Sequence, residues 1–296
     1  MNDRGHKRPV VFGEVLFDRF PSGETVLGGA PFNVAWNLQA LGCEPLFISR
    51  VGADALGEKI RSEMARWGMD TRLLQLDPSH ATGTVDVRIE DGEPHYDIVA
   101  SRAYDFIEPE LFETIRDAAL IYHGSLAMRN PPTRAAFARL AETTGVPRFL
   151  DVNLRAPWWK ADEVAAMVRG ARWVKLNEHE LAALGGDAQA GDESVERFRR
   201  KFDLEAVVLT RGAEGAVLVT AGDSIRVAPR SSGARVDTVG AGDAFASVVL
   251  LGLLEGWPAT TTLERAQDFA SGVVGLRGAT VDDRDFYARY VDAWSP

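Results

Sequence analysis

The chain of 296 residues carries one cysteine, Cys43. No disulfide can form within it and no cysteine-based zinc site can be built, which fits a reducing compartment. Cys43 itself reads as a small packed thiol. Long apolar runs are also missing: nowhere do about 18 apolar residues follow one another. The Arg- and Lys-containing start at residues 1–8 leads only into a short apolar run ending at Glu14. A soluble, cytoplasmic protein without a membrane partner is the expectation. Positive charge is scarce as well, since 33 Lys and Arg stand against 43 Asp and Glu, for a net charge of −10. That balance argues against a broad nucleic-acid surface or an anionic-membrane binder, so an anionic substrate must meet a local pocket. The histidines His6, His80, His95, His123 and His179 show no metal-ligand spacing, and no His-Glu-x-x-His occurs. What is present is ordinary globular material, 46% hydrophobic and 26% charged, which excludes disordered and collagen-like chains. The length suits one large α/β unit with a small appendage.

Apolar, β-branched runs recur at 9–17, 45–51, 118–122, 148–152, 173–176 and 206–209. Between most of them lie stretches of helical period, at 32–41, 56–67, 134–143 and 163–169. Alternating strand and helix predicts a doubly wound, mostly parallel α/β sheet covered by helices on both faces. Residues 82–98 break the rhythm, because strict alternation around Asp91-Gly92 predicts a hairpin with one polar and one apolar face. A lone hairpin is not stable in water, so this one must cover something. A second hairpin is expected over 216–219 and 224–227, at the sheet's edge, and amphipathic helices over 244–255, 263–276 and 285–294.

The most informative segment is Val236-Asp237-Thr238-Val239-Gly240-Ala241-Gly242-Asp243-Ala244-Phe245, directly ahead of an apolar helix. Two glycines before a helix let backbone N–H groups converge on an anion, and the helix dipole adds partial positive charge there. The segment is not a dinucleotide fingerprint, because Phe245 occupies the third glycine position, and no lysine follows to make a P-loop. Asp243 can be a plain helix N-cap. A carboxylate beside a phosphate-binding hole nevertheless repels the phosphate, and a base for an attacking hydroxyl would explain its presence. The helix N-terminus is expected to lower its pKa, which phosphoryl transfer tolerates because its transition state is loose.

This segment resembles the C-terminal signature of the ribokinase-like (PfkB) carbohydrate kinases, Asp-Thr-x-Gly-Ala-Gly-Asp. Further matches follow in the family's order: Asp18 after the first strand, Gly28-Gly29-Ala30-Pro31-Phe32-Asn33-Val34-Ala35 for the sugar motif, Asp151-Val152-Asn153-Leu154-Arg155, Asn177-Glu178-His179-Glu180 for Asn-x-x-Glu, and Thr210-Arg211-Gly212-Ala213-Glu214-Gly215 for the nucleotide loop. The resemblance runs from about Gly13 to Ala279. It implies a single kinase domain over 1–296 with a β lid formed by about 12–26 and 81–104, binding ATP and a small-molecule sugar.

The resemblance also implies the site. Asp243 would be the base, the Gly240-Ala241-Gly242 turn the anion hole, and Arg155 a stabiliser of phosphoryl charge. Asp18, Gly28, Gly29 and Asn33 would bind the sugar, Asp18 by accepting hydroxyl hydrogen bonds and Asn33 by offering a donor and an acceptor. Thr210, Gly212 and Gly215 would hold the nucleotide, together with helices from Leu263 onward. Asn177 and Glu180 would hold the Mg²⁺ shell through water. Asp237 and Ala279 match positions where many members bind a monovalent cation such as K⁺, although plain turn residues would look the same. Lid strands sometimes pair subunits in this family, so a homodimer stays open. An NAD(P)-dependent oxidoreductase is disfavoured by the missing glycine fingerprint, and a silent sugar-binding regulator by the retained Asp243.

For the acceptor, the Gly13-Glu14-Val15-Leu16 start, the Gly-Gly-Ala-Pro-x-Asn block and Ala103-Tyr104-Asp105 resemble the family's fructokinases. Members acting on 2-keto-3-deoxygluconate typically carry Tyr-x-Arg on the lid, where this chain has Tyr96-Asp97-Ile98. A neutral sugar, fructose first, is therefore expected ahead of that acid, ribose or a nucleoside; Arg102 is the nearby cation that would serve an acid group.

Overall fold

The first apolar run is two strands, not the one expected over 9–17. In the computed structural model, which describes residues 7–90, 93–186, 191–228, 240–274 and 280–295, β1 (Arg8–Phe12) ends before Gly13 and β2 (Leu16–Arg19) joins a different sheet. The break has a local cause. Gly13 has φ 153° and packs so closely on Pro31 that a Cβ would lie 2.5 Å from its ring. Only glycine fits there.

The small sheet has four strands: β3 (Thr25–Gly28), β2, β6 (Gly83–Glu90) and β7 (Glu93–Ile98), in that order. β2 pairs antiparallel with β3 and parallel with β6, while β6 and β7 form the hairpin read from the sequence, whose Asp91-Gly92 turn lies outside the described residues. Asp18 is opposite Val26 and Val85 inside this small sheet, so it does not follow a strand of the main one as expected.

The main sheet has nine strands. Added to β1 are β4 (Leu46–Gly52), β5 (Leu74–Asp77), β8 (Ala118–His123), β9 (Arg148–Asp151), β10 (Trp173–Asn177), β11 (Ala206–Thr210), β12 (Ala216–Thr220) and β13 (Ser224–Val227). Their order is β13-β12-β11-β10-β9-β8-β1-β4-β5, parallel except for the antiparallel edge at β12 and β13. The chain winds one way from β1 through β4 to β5 and the other way from β8 outward, so the switch point lies beside β1.

Helices cover both faces because alternate strand residues point to each. Val11, Phe47, Tyr122 and Phe149 pack with α1 (Ala30–Ala40), α2 (Ala55–Trp67), α7 (Ala241–Glu255), α8 (Ala259–Val274) and α9 (Arg284–Trp294). On the other face Val10, Phe12, Leu150 and Leu176 pack with α3 (Pro131–Thr144), α4 (Ala161–Gly170), α5 (Glu178–Ala183) and α6 (Asp192–Lys201). Local chemistry sets the ends. Asp54 caps α2 by accepting from Gly57 N, and Gly68 closes it at φ 81°. α7 is apolar along most of its length and buried from Ala244 to Gly252, so its N-terminus is delivered to the middle of the fold. Among the described residues no helix is long and apolar enough to cross a membrane.

Candidate active site

The carboxyl ends of β1, β9, β10 and β11 converge on the N-terminus of α7. Glu14 follows β1, Asp151 and Asn177 end β9 and β10, and Thr210 ends β11 directly beside Asn177 in register. Across from them, Gly240 begins α7 at φ 81°, and its turn is followed by Asp243 in the first helical turn. A Cβ placed on Gly242 would lie 3.6 Å from Lys175 Nζ, so an ammonium stands beside the turn that was read as an anion hole.

Asp243 is joined to the N-terminal half of the chain. Asn33 Nδ2, in the first turn of α1, donates to Asp243 Oδ2 at 2.7 Å. The carboxamide's donor is thereby used, and its buried Oδ1, without a partner among the described residues, is left as the acceptor. Gly28 lies beside that oxygen, at 3.9 Å from a notional Cβ, while Gly29, at φ 109°, packs so closely on Glu14 that a Cβ there would lie 2.7 Å from Glu14 O. The pKa of Asp243 is not lowered as its helix position predicts. Burial first, and then the Asp151 carboxylate, push it up to about 6 against the pull of Asn33, Lys175 and Arg155. The group is crowded by protein although the residue as a whole is only part-buried, so some solvent reaches it. The outcome is a carboxylate that exchanges its proton close to neutral pH.

Two more acids face the same space. Asp18 is pushed up to about 6 by burial, with Arg155 drawing it down. Glu14 is pushed up to about 7 by burial, against its own backbone N–H and Arg155. Arg155 is exposed, makes no side-chain hydrogen bond or ion pair among the described residues, and couples electrostatically to Glu14, Asp18 and Asp243. The structure therefore brings Asp18, Asn33, Arg155 and Asp243 from four separate parts of the chain into one coupled group.

Asn177 and Glu180 form a reciprocal cap on α5. Asn177 Oδ1 accepts from Glu180 N at 3.0 Å, Glu180 Oε2 accepts from Asn177 N at 2.8 Å, and Glu180 Oε1 accepts from Leu154 N at 2.8 Å. Burial and the neighbouring Asp151 raise the Glu180 pKa, so the corner is electronegative. Thr210 Oγ1 donates to Leu176 O at 3.4 Å. Gly212 has φ 51° in a 3₁₀ turn, whereas Gly215 at φ 90° is required by close packing on Val227 O. Asp237 and Ala279 lie outside the described residues.

Sequence reasoning missed the centre of the site. Lys175 Nζ donates to both oxygens of Asp151 at 2.9 Å, and Tyr122 OH reaches Asp151 at 3.3 Å, all three residues being buried. Burial opposes the Lys175 charge, but Asp151 outweighs it and raises the pKa. The available signal was a lysine inside an otherwise apolar strand, since a lysine is seldom buried without a partner. Also missed was Arg129, whose Nε and Nη2 donate to Asp105 at 2.7 Å while its guanidinium lies 4.4 Å over Trp158 and 5.2 Å from the Tyr104 ring. Trp158 is thus a platform for an arginine of this chain as well as a packing residue.

Among relatives, the fructokinase of Klebsiella pneumoniae is 31% identical over 260 residues, covering 82% of this chain and 83% of its own. The solved fructokinase of Vibrio cholerae O395, in fructose-, ADP- and calcium-bound form, is 27% identical with a TM-score of 0.80 over 96% of this chain and 98% of that one. The same fold, at 24% identity and a TM-score of 0.80 over 96% and 99% of the two chains, occurs in aminoimidazole riboside kinase of Salmonella enterica. The model of the pfkB family carbohydrate kinases matches residues 6–285. A nine-stranded doubly wound sheet, a four-stranded companion sheet and a Gly-Ala-Gly-Asp turn that opens a buried helix are thus found in a chain that belongs to the pfkB family of carbohydrate kinases.

Proposed function

We propose that this kinase transfers the γ-phosphoryl group of ATP to a hydroxymethyl group of a neutral sugar, fructose first, with Asp243 as the base. The observation that carries the reading is the Asn33–Asp243 hydrogen bond at the start of α7. It ties the Gly-Gly sugar motif to the Gly-Ala-Gly-Asp turn and aims a carboxylate of pKa about 6 into the cleft. Asp243 takes the proton of the attacking hydroxyl, late in a loose transition state. The Gly240-Ala241-Gly242 turn and the positive end of α7 hold the transferring phosphoryl group, and Lys175 and Arg155 add cationic charge beside it. Asp18 and the open Oδ1 of Asn33 accept hydroxyl hydrogens of the sugar.

Thr210, Gly212 and Gly215 line the nucleotide loop. Asn177 and Glu180 fit a Mg²⁺ shell through water: their oxygens are occupied by backbone donors, but the corner is electronegative and second lone pairs remain. Mg²⁺, when bound, neutralises phosphate charge. The four-stranded sheet acts as a lid of one single domain, with Asp18 on its site-facing surface, and its closure excludes water. Fructokinase relatives support fructose, and on the lid the exposed Arg88 is paired with Asp97 at 3.1 Å; Arg102, whose buried Nε has no partner among the described residues, is the lid cation that a sugar acid would meet.

The test is ADP release with Mg²⁺ and saturating ATP across fructose, ribose, adenosine and 2-keto-3-deoxygluconate. The highest kcat/KM is expected for fructose. A preference of about tenfold or more for the sugar acid refutes the neutral-sugar assignment.

A further inference from the structure

The reaction as proposed leaves Glu14 without a task, yet its setting is costly. It follows β1 at the switch point of the main sheet, where ligands of doubly wound sheets bind. The residue is 3% exposed, and its Oε2 is buried with no hydrogen-bond partner among the described residues. A buried carboxylate oxygen without a donor is unfavourable unless something brings one. Arg155, Asp243 and Arg129 are the charged groups that bear on it, so it lies within electrostatic reach of two residues of the candidate site.

The wall next to it is open in a complementary way. Tyr104 is fully buried and its hydroxyl has no partner among the described residues; Arg129 satisfies Asp105 and Val99 O through Nε and Nη2 but leaves Nη1 unpartnered there. Tyr104 and Glu14 lie close enough for their charges to couple. One acceptor and two donors, each buried and unmet among the described residues, thus lie within electrostatic reach of one another. A polyol with hydroxyls on neighbouring carbons can satisfy all three of them.

We propose that Glu14 is a specificity-determining residue of the acceptor site, accepting a sugar hydroxyl other than the one that meets Asp243, while Tyr104 and Arg129 donate to the oxygens beside it. The inference rests on the sugar-kinase reading above and extends it by a second wall of the sugar site. It makes the site selective for hydroxyl-rich acceptors, since one lacking that hydroxyl leaves Glu14 unmet.

The test is a cycle between protein and ligand. Calorimetric titration, without ATP, measures fructose and its 1-deoxy, 3-deoxy and 4-deoxy analogues on wild type, Glu14→Gln and Glu14→Asp. Glu14→Gln keeps the shape and is expected to weaken fructose about 5- to 20-fold, with ATP affinity unchanged. One deoxy analogue should lose about tenfold on wild type and little further on Glu14→Gln, because the same contact is removed twice. Glu14→Asp, which keeps the charge and shortens the reach, should fall between the two and serves alone if the glutamine variant does not fold. Unchanged fructose affinity in the variants, or equal losses for fructose and every analogue, overturns the assignment. Wild type that binds fructose but forms no ADP refutes the kinase assignment alone, and wild type that binds none of these sugars refutes both.

Discussion

Asp243→Asn separates chemistry from stability, because the same carboxylate that serves as the base is held at a cost. Its pKa is raised from 3.8 to about 6, and at about 1.4 kcal/mol per unit that is about 3 kcal/mol of preference for the protonated form. Since some solvent reaches the group, about 1–2 kcal/mol is the realistic share. The sign follows from proton linkage. A raised native pKa means the native state binds the extra proton, so wild-type stability falls as pH rises from about 4 to about 6 and is level above that. In the variant, the new carboxamide oxygen would accept the same bond from Asn33, and the side chain would carry no charge. The variant should therefore match wild type in Tm near pH 4 and exceed it by a few degrees at pH 8. In the same samples kcat should drop by about two to four orders of magnitude, with sugar and ATP affinities within a few-fold. Scanning calorimetry across pH and a coupled ADP assay give both numbers. A variant that retains more than about a tenth of wild-type kcat removes the base assignment. A variant no more stable than wild type at pH 8 removes the account of burial.

Asp18→Ala should raise KM for the sugar by at least about tenfold while KM for ATP stays put, since Asp18 lies on the small sheet, away from the nucleotide loop; an equal rise in both constants in steady-state assays would contradict that placement. Lys175→Met leaves Asp151 buried without its cation and should cost about 3–5 kcal/mol in urea unfolding. Adding Asp151→Asn should recover more than half of that, and a loss below about 1 kcal/mol for the single variant would mean the pair is not coupled as drawn.

The strands of the main sheet were legible because parallel strands buried on both faces are written as plain apolar runs, and the Asp91-Gly92 hairpin because alternation records a half-exposed strand. The runs at 45–51, 118–122, 148–152, 173–176 and 206–209 all became strands to within a residue or so. What failed was continuity across Gly13, where apolar character persists through Val15 to Phe17 but the chain changes sheets; the cause, a contact with Pro31, joins residues distant in sequence. β5 and α6 were also unseen, the first because Leu74–Asp77 is too short to show a period, the second because Asp192–Lys201 is dominated by charge. In the site, residues borne by glycine-rich turns were visible as motifs. Lys175 was not, and Asp151 and Glu14 stood inside matched motifs without a role of their own, since a buried charge betrays itself only through its partners elsewhere in the fold. The pKa of Asp243 was misjudged for the same reason: the helix end is local, but burial and Asp151 come from elsewhere.

The division of labour between the two sheets bears on how such a protein changes its diet. Asp18 rides on the four-stranded sheet, whereas the glycine turn, Asp243, Lys175 and the nucleotide loop belong to the nine-stranded body. On the proposed reading, substitutions in β2, β6 or β7 can reshape what is held without disturbing the groups assigned to phosphoryl transfer. The two are joined near the site by the short Gly13–Val15 connection, which carries Glu14 at its centre. Acceptor preference can therefore drift on one sheet under weak constraint, while the connector, pinned by Pro31 and by the switch point, is where a change of diet would first meet resistance.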